Sequence, residues 1–420
     1  MKRIQIALSL SILLIIAGCG SDDSNPAQYD NENPSAPQNL TVSNIAINSI
    51  ELGWDASTDN VGVTGYHIYQ DGTLIVSAHT ATSVTIPNLD EETFYSFYVT
   101  AIDAEGNESV PSNTASATTE GTPLQFTPTL SEMGLFEGAM EDIVPASGVQ
   151  YYEVRTALFT DYTHKQRLIR IPVGQTLRYA NSDLLPLFPN NTVIAKTFFY
   201  YLDERDPTLG KKIVETRVLI KLQAGWIATN YVWNDTMTEA FRDDVGGTVG
   251  INYIDNNGTT QDIDYIIPSN ADCFECHNNN NNTLPLGMKL RNLNFIPVYA
   301  GYNQLQYFTD NGLLLGLDDP TTVSSLPNWA NGTLPIDERA RAYMDVNCAH
   351  CHSPGGSVPP TFNTDFRYET PFSETGIYPN RGEIEARFAS TSPIYRMPRL
   401  GRTVVHQEAL AMLIEYLDTL

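Results

Sequence analysis

The chain has 420 residues, 42% of them hydrophobic, enough material for roughly two to four separate cores. It carries 49 acidic against 24 basic side chains, for a formal charge of -25. That balance argues against nucleic acid or anionic lipid headgroups as partners, and for solubility or a cationic partner.

The N-terminus opens with Lys2 and Arg3, then an apolar run that closes in Leu14-Ile15-Ile16-Ala17-Gly18-Cys19. A basic start, a short apolar stretch and small residues before a cut describe an export signal, and the run is too short for a membrane span. With a cysteine at the cut, residues 1–18 resemble a bacterial lipoprotein signal. An ordinary cleaved signal with an incidental cysteine is the alternative. The resemblance implies lipidation of Cys19, a stable membrane anchor and a place in the bacterial cell envelope. Gly20 is not the aspartate that retains lipoproteins at the inner membrane, which favours the outer membrane, facing periplasm or cell surface. Residues 19–34 are rich in Ser, Asp, Asn, Pro and Glu and predict a disordered tether.

From residue 35 to 119 short alternating strands are separated by turn residues, as in Ser49 to Trp54, Gly65 to Tyr69 and Phe94 to Val99. This spacing predicts a β-sandwich. Pro37, Trp54, Tyr66, Ile68 and Tyr69, with Leu89 six residues before Tyr95, resemble a fibronectin type III domain. Such a module implies a spacer in an exported protein, or else a ligand-binding unit.

Residues 120–335 predict a second, β-rich domain. Thr192 to Tyr201, Ile213 to Lys221 and Trp226 to Trp233 are dense in β-branched and aromatic residues. Thr236 to Asp243 carries a short helical signal. Nothing in the stretch pairs a nucleophile with a base. Near its end stands Cys273-Phe274-Glu275-Cys276-His277, between a strand-like Ile263 to Pro268 and the asparagine run Asn278 to Asn282, so a loop is expected there.

Residues 336–420 are the most legible. Asp337 and Glu338 open a helical pattern that runs to Asn347, with acids in the first turn where the helix dipole favours them. It leads into a second pentapeptide, Cys348-Ala349-His350-Cys351-His352. Both pentapeptides read CxxCH, the attachment signature of a c-type haem, in which two thiols bind the porphyrin edge and the histidine ligates iron. With Cys19 placed in the export signal, no cysteine is left over. A Gly- and Pro-rich loop, Met397-Pro398 and a closing helical face at Leu410, Leu413, Ile414 and Leu417 follow.

Helix, CxxCH, loop, Met-Pro and helix together resemble a class I cytochrome c domain. The resemblance implies thioethers at Cys348 and Cys351, His352 as proximal ligand and Met397 as distal ligand, which raises the reduction potential. Arg396, Arg399 and Arg402 then face haem propionates or are plain surface arginines, and His350 points away from iron. At the first motif Cys273 and Cys276 hold the haem and His277 ligates it. The distal position is left open between Met288, His164, His406 and a vacant site.

From about Leu124 onward, Leu158 to Tyr162, Thr192 to Phe198, Tyr231 to Asn234, Arg339 to His352 and Met397 to Gly401 are similar to a family of predicted diheme c-type cytochromes of bacterial lipoproteins. That implies two covalent haem c groups with iron, electron transfer, redox partner proteins, cationic ones among them, a membrane anchor at Cys19 and no nucleic acid. Two alternatives stay open: a multihaem oxidoreductase acting on peroxide, oxygen or another small molecule, and a non-haem structural protein with CxxC zinc or disulfide sites. The expected fold class is therefore multidomain: an all-β fibronectin sandwich, a β-rich middle domain and an all-α cytochrome c-like C-terminal domain.

Overall fold

A computed structural model describes residues 29–420. The export signal, Cys19 and most of the tether lie outside the described residues. The chain divides into two compact units, one from residues up to 43 with 51–86 and 95–116, the other from 44–50, 87–94 and 117–420.

Seven strands make the sandwich: β1 (Gln38–Ser43), β2 (Ser49–Asp55), β3 (Gly65–Gln70), β4 (Thr73–His79), β5 (Ser83–Pro87), β6 (Phe94–Ile102) and β7 (Ala115–Thr118). They pair as sheets β1-β2-β5 and β4-β3-β6-β7. Alternation along β2 turns Ile50, Leu52 and Trp54 inward, and along β6 Tyr95, Phe97 and Val99. Each such side chain contributes about 1.5–3 kcal/mol when fully buried. The Trp54 ring meets the edge of Tyr66 at 5.3 Å.

The larger unit is organised by a six-stranded meander: β8 (Val149–Tyr151), β9 (His164–Arg170), β10 (Val193–Tyr201), β11 (Lys211–Leu222), β12 (Gly225–Trp233) and β13 (Ala240–Asp243). Every neighbour is antiparallel. One face buries Leu168, Ala195, Val218, Tyr231 and Trp233. The other buries Ile169, Ile194, Leu219 and Trp226 against Met288, α2 (Leu290–Leu293) and α3 (Gln304–Asp310). A hairpin of β14 (Gly247–Ile254) and β15 (Thr260–Ile267) has its own core with Tyr200 and Val214. The helical signal at Thr236–Asp243 is corrected here. Met237 takes a left-handed φ of 55°, which stops a helix, and β13 pairs with β12 instead.

At the C-terminal end α4 (Ile336–Asn347), α5 (Ile377–Ala389) and α6 (Gln407–Asp418) pack around Tyr343, Phe388, Met412, Leu413 and Tyr416. The expected fold class is corrected at this point. The helices do not form a separate all-α cytochrome c-like domain; they belong to the same compact unit as the meander. The described residues hold six α-helices against twenty-one strands, so the chain is dominated by β-structure. The reason is polar fastening. Asn347 Oδ1 accepts from Phe159 N at 2.7 Å, and the buried Asp161 carboxylate accepts from Thr403 N and Val404 N at 2.6 and 3.0 Å. Lys289 and Arg291 both reach Asp345 of α4 at 2.8 Å. Buried groups of this kind must stay paired, so the helices and the sheet are held as one body. No helix among the described residues is long and apolar enough to cross a membrane.

Candidate functional site

The first CxxCH lies on a helix, α1 (Asn270–His277), where a loop was expected. Ser269 accepts from Asp272 N and the Asp272 carboxylate bonds back to Ser269 N at 2.9 Å, a capping box. The signal was in the sequence, as Ser269 three residues before Asp272. α1 ends at His277, whose Nδ1 donates to the Leu284 carbonyl at 2.6 Å after the chain reverses through Asn280 and Asn281, both at left-handed φ. Burial, with Lys196 next in effect, drives the His277 imidazole down to about 3.

The second CxxCH leaves the C-terminus of α4. Cys348 caps that helix, and a tight turn brings Cys351 N and His352 N to the Cys348 carbonyl at 3.1 and 2.9 Å. His352 Nδ1 lies 2.7 Å from Thr364 Oγ1, and its ring packs on Phe366. Burial lowers His352 and raises Cys348 to about 12.

The two motifs, 75 residues apart in the chain, meet. Asn280 N donates to the Gly355 carbonyl at 2.8 Å, and Asn279 Nδ2 to Pro354 at 3.0 Å. As a result Cys276, Cys351 and His350 bring two thiol sulfurs and a ring nitrogen within 4.8 Å of one another. Each thiol acts first on the other, raising Cys276 and lowering Cys351. His350 Nδ1 is buried with no hydrogen-bond partner. This residue was expected to point away from the site, and spacing within one motif held no sign that it would serve the other.

The remaining candidates are dispersed. Met288 is fully buried in the apolar core with Ile194 and Leu219. Met397 is half-buried in a loop whose Arg399 comes within 4.0 Å of Glu275 of the first motif. Arg402 is 2% exposed and donates to the Phe388, Ser390 and Met397 carbonyls; it is a structural bracket for this loop. His164 is taken by Glu204 at 2.8 Å. His406 sits in an aromatic box, stacked on Phe159 at 4.1 Å and joined to the Tyr343 hydroxyl through Nδ1 at 3.0 Å.

Burial lowers His406 from 6.5 to about 4. The native imidazole therefore stays neutral between about pH 6.5 and 4 while the unfolded one binds a proton, so stability falls as pH drops through that window. The loss is at most about 3 kcal/mol by this linkage. Urea midpoints at pH 7 and pH 4.5 should diverge more in the native sequence than in His406→Gln. Equal pH dependence in the two would remove His406 from the account.

A family model described as Fibronectin type III domain matches residues 35–118. Chitinase Chi52 of Paenibacillus xylanexedens is 46% identical over 102 residues, covering 24% of this chain and 19% of the enzyme. Chitinase A1 of Niallia circulans is 48% identical over 90 residues, 21% of this chain and 13% of that one. Exoglucanase A of Cellulomonas fimi is 42% identical over 134 residues, 29% and 15% of the two chains. This chain thus spans less than a fifth of each of these relatives. Among solved structures, chitinase ChiA74 from Bacillus thuringiensis shares 27% identity over 41% of this chain and 20% of its own, with a TM-score of 0.21, and the Family 28 exopolygalacturonase of Yersinia enterocolitica 27% over 21% of each, with a TM-score of 0.19.

These relatives correct three expectations. Chitinases and an exoglucanase stand where diheme c-type cytochromes were expected, and with that family go electron transfer as the function and two covalent haem c groups as cofactors. The fibronectin type III module is retained, since the family match falls on it.

Proposed function

We propose that the larger unit carries a soft transition-metal centre whose ligands come from both CxxCH segments, with Cys276, Cys351 and His350 at its heart and Cys273, Cys348, His277 and His352 around it. The observation that carries this reading is the meeting of two thiols and an imidazole nitrogen from segments far apart in sequence. Thiolate and imidazole donors suit zinc and other soft or borderline metals. Binding would release the thiol protons of Cys276 and Cys351, as thiolates are the ligating form. Met397, on a loop that reaches Glu275, is a further soft donor for the same centre.

The same reading places the protein in the bacterial envelope, anchored through Cys19, with the fibronectin module as a spacer above the membrane. Its acidity suits a cationic partner. A second reading, polysaccharide degradation by the larger unit, is favoured by the likeness of the module to those named chitinases and an exoglucanase. Release of soluble sugars from chitin or cellulose by the full chain would support it.

The test of the metal centre is elemental analysis and intact mass of the exported full chain. About one equivalent of metal per chain is expected, with more than about 100-fold weaker retention when Cys276 and Cys351 are both changed to Ser. A metal-free native chain with freely titrating thiols, or metal content indifferent to that change, would overturn the reading.

A further inference from the structure

The register of the meander lines up charged side chains that the sequence scatters. Arg167 of β9 lies directly opposite Lys196 of β10, and Lys196 opposite Arg217 of β11. Two residues along, Lys165 pairs with Phe198 and Phe198 with Glu215. Because side chains alternate between faces, Lys165, Arg167, Lys196 and Arg217 share one face of the sheet, and it is the face that buries Ile169, Ile194 and Leu219 one row further on.

Four cations thus stand together, all of them half-buried, on a chain with twice as many acids as bases. Glu215 shares the face, fully buried and bound to Arg217 and the Tyr265 hydroxyl, while Asp161 and Glu153 act on Lys165 and Arg167 without forming an ion pair. Among the described residues Lys165, Arg167 and Lys196 form no ion pair. Lys165 Nζ makes do with the Leu158 carbonyl at 2.8 Å and the ring of Phe198, and Lys196 Nζ with the Leu286 carbonyl at 2.6 Å. Like charges at this spacing, withdrawn from water, repel unless an anion shares the space.

The row adjoins the first CxxCH. Lys196 and His277 bind carbonyls two residues apart, Leu286 and Leu284. The charge of Lys196 is felt at His277, and that of Arg217 at His277, Cys273 and Cys276.

We propose that Arg167, Lys196 and Arg217, with Lys165, bind the acidic oxygens, carboxylate or phosphate, of an anionic ligand seated against the first CxxCH segment. The proposal rests on the reading of the two motifs as a ligand centre and adds the chemical class of what that centre holds besides metal. Arg167 supplies a planar fork for paired oxygens and Lys196 a point charge beside it, while Arg217, whose Nε and Nη2 are held by Glu215, adds positive charge.

The probes are sodium phosphate and sodium succinate, compared with sodium chloride at matched ionic strength, on thermal unfolding of the full chain. Phosphate or succinate should raise the midpoint by roughly 3 °C over chloride at saturating concentration. Whichever acts identifies the oxygen source. Lys196→Met and the milder Arg167→Gln should each remove the rise, whereas Cys276→Ser should keep it while losing metal. No rise over chloride in the native sequence, or a rise unchanged in Arg167→Gln, overturns the proposal. Metal retention in Cys276→Ser strikes the metal centre and leaves the anion result standing.

Discussion

Glu215→Gln is expected to destabilise the larger unit by about 3–5 kcal/mol, the cost of leaving a buried charge without its partner. The substitution keeps the shape and one acceptor oxygen for Tyr265 and Arg217, so what it removes is charge. Glu215 is fully buried, and it shares a sheet face with Lys165, Arg167, Lys196 and Arg217. Burial works against the Arg217 cation, but the attraction of Glu215 outweighs it and holds the guanidinium above its ordinary value. Removing that attraction exposes the repulsion of the whole row. Urea unfolding with an unchanged slope measures the effect. The double change Glu215→Gln with Arg217→Met should cost less than the sum of the two single changes. A loss below about 1 kcal/mol in Glu215→Gln would show that the row is solvated well enough to need no counter-charge.

The second large effect is expected at the joint between α4 and the β-rich body. Asp345 is 3% exposed and accepts from Lys289, Arg291 and Tyr368 N at 2.8, 2.8 and 3.1 Å. Arg291 is equally buried but also reaches Glu369 at 2.7 Å. Asp345→Ala therefore leaves Arg291 half-paired, and a loss of about 3 kcal/mol, the lower end for a broken buried pair, is expected. Because Asp345 lies three residues before Cys348, the same change should loosen the second CxxCH and weaken metal retention. Glu369→Ala, on the exposed side of Arg291, should cost under about 1 kcal/mol. If both changes cost the same, the network would not be the joint that holds α4.

Several elements could be read along the chain because their signals are local. The sandwich declared itself through alternation around Trp54, Tyr66 and Tyr95, and a family match falls on the same region. α4 and α6 followed from acids in a first turn and from apolar residues at helical spacing. α1 was missed although Ser269 and Asp272 form a capping box, because the asparagine run after His277 pointed to a loop. α5 left no comparable trace: its first turn has no acid and Gly382 interrupts it.

The chain by itself determined which residues bear the chemistry: two CxxCH segments, a lone Met397 before the closing helix and an acidic surface with few cations. Covalent neighbours settle such features, since a capping residue or a repeated spacing acts within a turn or two. What those residues form together was decided by tertiary structure. The pairing of Cys276 with Cys351 and His350 follows from α1 and the α4 terminus being drawn together across 75 residues. The row Arg167, Lys196 and Arg217 exists because strand register sets residues side by side that lie 29 and 21 positions apart. Long-range pairing of this kind is fixed by the packing of whole sheet faces, where a slip of one residue would send every cation to the opposite side.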